Sequence, residues 1–189
     1  MRAAQLVAMV VMVTGVMSLA VPSEADALLR IGADARWAPV AVESMEQEGE
    51  ELDARRNIDS GGVGVRALVG FEALSLGGRV NFSRHVFEDN DLSFSQLDAN
   101  AHIRSMVPWT RVNFFGEAGP SIALDIGEVG FNAAAGVEVD LLGWPLVDLN
   151  LGLSAQYAYV PIGAGPDTIR DHHSLRAMVS LGADIAILQ

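Results

Sequence analysis

Apolar residues recur at every second position over most of the chain after Ala27, and this period is the feature that most limits the fold. Successive side chains of a β-strand point to opposite faces, so a period of two places the apolar residues on one face of a sheet. A helix would show a period near 3.6 instead. We therefore expect an all-β fold built from amphipathic strands.

Eight such runs follow one another along the chain. Most are at least as long as the ~9–11 residues that a tilted strand needs to cross a bilayer. Strands of soluble proteins are usually nearer 5–6 residues. Run length therefore favours membrane-spanning strands, at about 29–37, 63–72, 76–85, 97–104, 111–122, 129–140, 147–157 and 175–187.

The second phase of the runs is polar and carries both signs of charge in similar number. In a soluble sandwich the apolar phase would fill the core, whereas in a membrane barrel it meets lipid and the polar phase lines the interior. Only Arg84 breaks the apolar phase, close to a strand end. Eight strands leave an interior just wide enough for side chains, and buried charges must pair, so we expect an ion-paired interior. Its charged residues would be Arg30, Arg36, Arg66, Arg79, Arg104, Arg111 and Arg176 with Asp34, Glu72, Asp98, Glu117, Glu138, Asp140, Asp148 and Asp184.

The connections between runs alternate between long and short, as in outer-membrane barrels. With the N-terminus on the periplasmic side, we expect outer loops at 40–61, 87–91, 125–128 and 160–173, and inner turns at 74–75, 108–109 and 143–145. Aromatic residues lie near the strand ends, although they make up only 6% of the chain. They are Trp37, Tyr157 and Tyr159 at the outer ends, and Trp109 and Trp144 at the inner turns.

The first 27 residues have the composition of an export signal. Arg2 gives a basic start, an apolar stretch runs from Leu6 to Ala20, and small residues end the segment at Ala27. This order predicts a secretory signal peptide that is cleaved after Ala27. A membrane-anchoring helix is the alternative, but spanning by a helix requires ~20 apolar residues. The expected organisation is a signal peptide over 1–27 and a barrel domain over 28–189.

Cysteine content and net charge narrow the possibilities further. The chain contains no cysteine, so an exported domain of this kind must gain its stability without disulfides, and a closed barrel does so. The formal net charge is -12. Phosphate binding requires a basic face, so we expect no nucleic-acid partner.

With these features the chain resembles the small eight-stranded outer-membrane β-barrel proteins, namely the OmpA-type transmembrane domain and the OmpX/Ail group. Its last strand, Ser180 to Ile187, is similar to the assembly signal of that family, polar-x-Gly-x-x-apolar-x-apolar. The family usually finishes on Phe or Trp, whereas here Leu188 and Gln189 follow. The resemblance implies a cell outer membrane location, contact with membrane lipid and lipopolysaccharide, a monomer, and loops open to an extracellular partner.

His172, His173 and Ser174 are the candidates for chemistry. Some eight-stranded barrels modify lipid A, and the deacylases among them carry a His-x-Ser motif and a Glu. A catalytic triad needs an acid to orient its base, but Asp184, the acid downstream, lies some 30 Å along the strand at ~3.3 Å per residue. Adjacent histidines point to opposite faces, whereas catalytic zinc requires about three converging ligands. We therefore interpret this segment as a polar loop at the rim and assign no catalytic, cofactor-binding or metal residue.

The segment Ala41–Gly62 is rich in carboxylates. It could take up divalent cations, face a basic partner, or serve as a flexible solubilising loop. Of these we expect the flexible solubilising loop. The charged residues are Glu43, Glu46, Glu48, Glu50, Glu51, Asp53, Arg55 and Arg56.

The sequence therefore predicts an exported β-barrel with a structural or surface-interaction role through its outer loops, without enzymatic activity. Three other functions stay open. They are a narrow passive pore, a lipid A-modifying enzyme, and a soluble lipocalin-like carrier with an apolar interior.

Overall fold

A computed structural model describes residues 28–47, 50–56, 60–71, 73–86, 93–125, 127–143, 146–161 and 169–187. The predicted signal peptide over 1–27 lies outside these residues. So do Glu48, Glu72, Trp144 and Gln189.

Nine strands occupy the described residues, and each pairs with its neighbours in antiparallel orientation. β1 pairs with β2, β3 and β9, and the others follow in chain order from β3 to β9. The strands are β1 (Leu28–Gln47), β2 (Glu50–Arg56), β3 (Ser60–Phe71), β4 (Leu74–Val86), β5 (Ser93–Met106), β6 (Val112–Ala123), β7 (Glu128–Gly143), β8 (Val147–Pro161) and β9 (Ile169–Ile187).

The sheet closes on itself because β1 pairs with β9, from Leu29 opposite Ile187 to Gln47 opposite Ile169. β1 and β3 to β9 therefore form a closed eight-stranded antiparallel barrel. β2 is not part of this ring and forms a hairpin with the second half of β1. Closure leaves the ring without a free sheet edge, which a bilayer requires of any β-structure that spans it. The all-β, eight-stranded up-and-down barrel that the sequence predicts is confirmed.

The two faces of the barrel are the reverse of those in a water-soluble protein. Large apolar side chains such as Val63, Leu153 and Leu181 are exposed on the outside, and most interior side chains are polar or charged. Leu68 is an exception, an apolar residue buried in the interior. This polar interior does not fit a carrier with an apolar cavity.

The predicted first outer loop at 40–61 is wrong. β1 continues through Ala41–Gln47 and pairs residue by residue with Glu50–Arg56, so most of the segment forms an extended hairpin. β9 likewise starts at Ile169, which shortens the predicted outer loop at 160–173. Acidic residues have low strand propensity and obscure the period of two, but ladder hydrogen bonds come from the backbone and do not depend on it.

The inner turns agree in part with prediction. At 108–109, Thr110 donates its backbone N–H to Val107 over 3.1 Å, and Trp109 takes the left-handed conformation with φ at 60°. The predicted turn at 74–75 is wrong, because β4 already begins at Leu74, opposite Phe71. In the described ranges no helix is long and apolar enough to cross a membrane.

Candidate functional site

The inner half of the barrel interior is filled by a charge cluster centred on Arg66. Its guanidinium donates to both carboxylate oxygens of Asp184, at 2.8 and 2.7 Å, and to Glu138 at 2.5 Å. Arg104 donates to Asp184 at 3.1 Å and to Asp140 at 2.7 Å. Strands β3, β5, β7 and β9 each contribute to this cluster, so it joins side chains across the full width of the barrel.

A second cluster lies on β1, β4, β5 and β6. Arg36 bonds to Asp34 and Glu117, both at 3.0 Å. Arg79 pairs with Asp34 as well, and its Nη1 lies 3.5 Å from Glu117. The ring of His102 contacts Glu117 at 3.2 Å. All five side chains are buried, so their charges are compensated by one another and not by water.

The predicted ion-paired interior is confirmed for these two clusters. The sequence did not indicate which of these residues form pairs. Arg66, for example, pairs with Asp184, whereas Glu117 pairs with Arg36 in the other cluster. Asp98 departs from the prediction, because its described hydrogen bonds come from neutral donors, Gln96 at 2.7 Å and Ser121 at 2.5 Å. Arg111 lies one residue before β6 begins and is exposed.

Above the clusters, hydrogen-bonded amides cross the interior and one small cavity lies beside them. Asn100 and Asn132 exchange two hydrogen bonds at 2.9 and 3.0 Å across the barrel. A cavity beside Arg36, Asp98 and Arg176 has room for about one water molecule. A conducting path would need continuous water, which this packing does not provide.

Planar-bilayer recordings should therefore show only small or rare conductance from the unmodified barrel. The buried clusters fill the cross-section, and moving a solute through would require breaking several paired charges. Single-channel recordings in symmetric salt measure this directly. A large, steady conductance would contradict the closed interior and favour the pore.

His172 and Ser174 are not in a loop at the rim. They lie on β9 with side chains that point into the barrel, at 0% and 1% exposure, so the prediction of a solvated polar loop is wrong. It fails because β9 begins at Ile169 and carries them into the interior phase. An acyl ester in the surrounding lipid would not reach Ser174 from outside. Among the described residues no group of three could hold a metal ion.

His173 faces the other way, as two adjacent residues of an extended strand must. Its Nδ1 lies 2.7 Å from the hydroxyl of Tyr157 on β8. Its ring lies 4.8 Å from that of Tyr159, which in turn lies 5.8 Å from Phe131. Tyr157 and Tyr159 lie near the end of β8, at the barrel end opposite the turn at Trp109, as predicted. The sequence did not predict that His173 would contact them.

The acidic segment lies on the β1–β2 hairpin, at the end of the barrel where Arg84, Val160 and His172 are found, and β1 pairs there with β9 as far as Gln47 opposite Ile169. Its backbone is a paired ladder from Ala41 opposite Arg56 to Gln47 opposite Glu50. The hairpin and the aromatic group around His173 are thus both at the barrel end opposite the turn at Trp109.

Comparison with known proteins shows similarity in fold. No protein-family model matches the chain. No curated protein matches it either. Among solved structures, Ail, the attachment invasion locus protein of Yersinia pestis, has a TM-score of 0.50 at 13% identity, covering 86% of this chain and 99% of that one. Neisserial surface protein A has a TM-score of 0.46 at 17% identity, covering 83% and 96%. The chain thus has the fold of the small outer-membrane β-barrels.

Proposed function

We propose that the protein is an outer-membrane barrel that binds an extracellular protein through its β1–β2 hairpin, while the closed barrel serves as a rigid support. The single observation that carries this proposal is the β1–β2 ladder from Ala41 to Gln47, which continues past the end of β3 while β1 remains paired with β9. At ~3.3 Å per residue this ladder is roughly 20 Å long.

The free edge of the hairpin suits strand addition. Among the described strands, β2 pairs with β1 alone, so the other edge of β2 still has unpaired backbone groups. Such an edge is a template for an extended segment of another protein, with affinity from main-chain hydrogen bonds and specificity from side chains. Between 41 and 56 the sequence has six acidic and two basic residues. The partner that fits is therefore an extended segment with basic side chains.

Orientation and localisation belong to the same proposal. The apolar exterior suits a bilayer, the N-terminal 27 residues suit export with cleavage after Ala27, and the short turn at Trp109 suits the periplasmic side. The hairpin end then faces the outside of the cell. The filled interior favours this role over a pore, and the inward direction of Ser174 favours it over an enzyme acting on lipid A.

A register-preserving deletion should abolish peptide binding and leave the barrel closed. Removing 43–47 together with 50–54 takes five residues from each strand, leaves Val42 opposite Arg55 at the base of the hairpin, and keeps the β1–β9 ladder from Leu29 to Val42. We expect a fluorescent peptide of alternating Lys and Val to bind the unmodified protein in detergent micelles and to lose binding to the shortened one. Fluorescence anisotropy measures this, and heat-modifiable gel migration reports that both barrels are folded.

A peptide of alternating Glu and Val is the matched control, with the same alternation and the opposite charge. It should bind neither protein. Equal binding of the basic peptide to the intact and shortened barrels would overturn the proposed role of the hairpin.

A further inference from the structure

Two buried side chains join β4 to β9 at the barrel end opposite the turn at Trp109. His85 lies on β4 one residue beyond Arg84, which faces Gly61 near the start of β3. On β9, Nη1 of Arg176 is 3.2 Å from Nε2 of His85, and the two side chains are 2% and 0% exposed. Strands β1 and β3 lie between β4 and β9 in the ring, so this contact reaches across two strands.

The geometry of the contact defines the protonation state of His85. A guanidinium group can only donate hydrogen bonds. Nε2 must therefore be the accepting nitrogen of a neutral imidazole, with the ring proton on Nδ1. The hydroxyl of Ser83 is 3.0 Å from the same Nε2 and can donate to it as well. A proton on Nε2 would remove the acceptor and put two cations in contact, so the His85–Arg176 contact exists only while His85 is neutral.

The charged groups around His85 do not compensate a proton on its ring. His172 and Arg176, both on β9, face it and would repel a positive charge. On β5, Asp98 is the carboxylate that interacts with Arg176, and it already accepts hydrogen bonds from three neutral side chains. On β1, Arg36 borders the same small cavity and is paired within its own cluster. A protonated ring is therefore accommodated best by moving away from Arg176 into water.

Acid favours the form in which this contact is broken. A histidine in water has a pKa of about 6.5, and each pH unit below that value favours the form that binds the proton about tenfold. From about pH 6.5 to about pH 4.5 the equilibrium thus shifts about a hundredfold towards the broken contact. One hydrogen bond to a charged group stabilises a contact by about ten- to a hundredfold. A fall of two pH units is therefore enough to offset it.

We propose that the His85–Arg176 contact is an acid-sensitive closure of this barrel end, intact at neutral pH and broken when His85 is protonated. Arg176 lies opposite Ala41 on β1, and Ala41 is the first residue of β1 that pairs with β2. Loss of the contact frees β4 from β9 at the level where the hairpin begins, so these strand ends can separate. This acid response is independent of what the hairpin binds.

Double electron–electron resonance between two spin labels tests the closure. The chain contains no cysteine, so Phe82→Cys and Leu175→Cys place one label on the exposed face of β4 and one on that of β9. In detergent micelles at about pH 7.5 we expect a narrow distribution of distances between the labels. At about pH 4.5, below the ordinary range of histidine, the distribution should broaden and its mean should increase.

His85→Gln is the matched variant, because its side-chain carbonyl can still accept a hydrogen bond from Arg176 but takes up no proton in this range. It should give the narrow distribution at both pH values. His172→Gln leaves His85 in place and should respond as the unmodified barrel does. Labels at Leu76→Cys and Ile185→Cys, exposed near the opposite ends of the same strands, should show no change with pH.

An acid response that persists in His85→Gln would overturn the proposal, and so would equal distributions at both pH values in the barrel that keeps His85. A change of the same size between the labels at 76 and 185 would overturn it too, because it would report general loosening. Heat-modifiable gel migration checks that each labelled barrel is folded, and His85→Asn replaces His85→Gln if that variant is not. No peptide enters this measurement, so its failure and the failure of the hairpin to bind peptide are separate results.

Discussion

Replacing Arg66 with alanine should lower the free energy of unfolding by about 3–5 kcal/mol, the usual cost of leaving a buried charge without its partner. Arg66 is 3% exposed and holds Asp184 through two parallel hydrogen bonds and Glu138 through a third. In the variant both carboxylates would share Arg104, which already bonds to Asp140. Reversible urea unfolding in lipid vesicles, followed by tryptophan fluorescence, measures the change.

Arg30→Ala is the matched control, because it also removes an arginine from an ion pair on the polar phase. Arg30 lies 2.7 Å from Asp148, but both side chains are partly exposed, at 26% and 20%. Water can then solvate the carboxylate that remains, and we expect a loss of at most about 1 kcal/mol. If Arg66→Ala and Arg30→Ala destabilise the barrel equally, the interior is wet and the clusters do not stabilise it as argued.

The contrast between these arginines marks a limit of prediction from sequence. The period of two assigns both to the polar phase, because alternation is a local property of each strand. It gives no information on which strand lies opposite, and Arg66 meets Asp184 only because the barrel closes. Asp98 shows the same limit, since Ser121 and Gln156 donate hydrogen bonds to it from other strands.

Strand ends are predictable only where the apolar alternation continues to the end. The turn at Trp109 follows Pro108 and is placed correctly, whereas the pattern ends β1 at Trp37 and starts β9 at Leu175. After Trp37 the alternation is interrupted by Pro39 and by a register shift between Trp37 and Val40, and before Leu175 the sequence is polar. The β1–β9 ladder nevertheless continues from Val40 opposite Ala177 to Gln47 opposite Ile169, because its hydrogen bonds join backbone groups and do not require apolar side chains.

The same two limits, on strand pairing and on strand ends, apply to the candidate sites. The sequence identifies the acidic segment as a candidate for binding a partner, but it does not predict the regular hairpin. Histidines 172 and 173 are correctly assigned to opposite faces, but the sequence did not show that β9 extends back far enough to include them. His173 joins Tyr157 and Tyr159 only through the pairing of β8 with β9, and the sequence does not give that register.

Whether the apolar exterior faces lipid or water can be tested by a substitution whose expected effect on the free energy of unfolding is nearly as large as that of Arg66→Ala. Leu153 lies in the middle of β8, 63% exposed on the exterior between Val137 and Val179 of the adjacent strands. If that exterior meets lipid, Leu153→Arg puts a cation near the bilayer midplane and should cost about 2–4 kcal/mol. If it meets water, an exposed Leu→Arg change should have almost no effect.

Two control variants separate charge at depth from other causes. Leu153→Met keeps the apolar character and approximate volume and should have little effect in either solvent. Leu142→Arg introduces the same charge near the inner end of β7, where the cost should fall to about 0–1 kcal/mol because the side chain can reach the headgroups. Urea unfolding of the three variants in vesicles gives the comparison. Similar small losses for arginine at 153 and at 142 would mean that the exterior is solvated by water, and the assignment of this barrel to a membrane would fail.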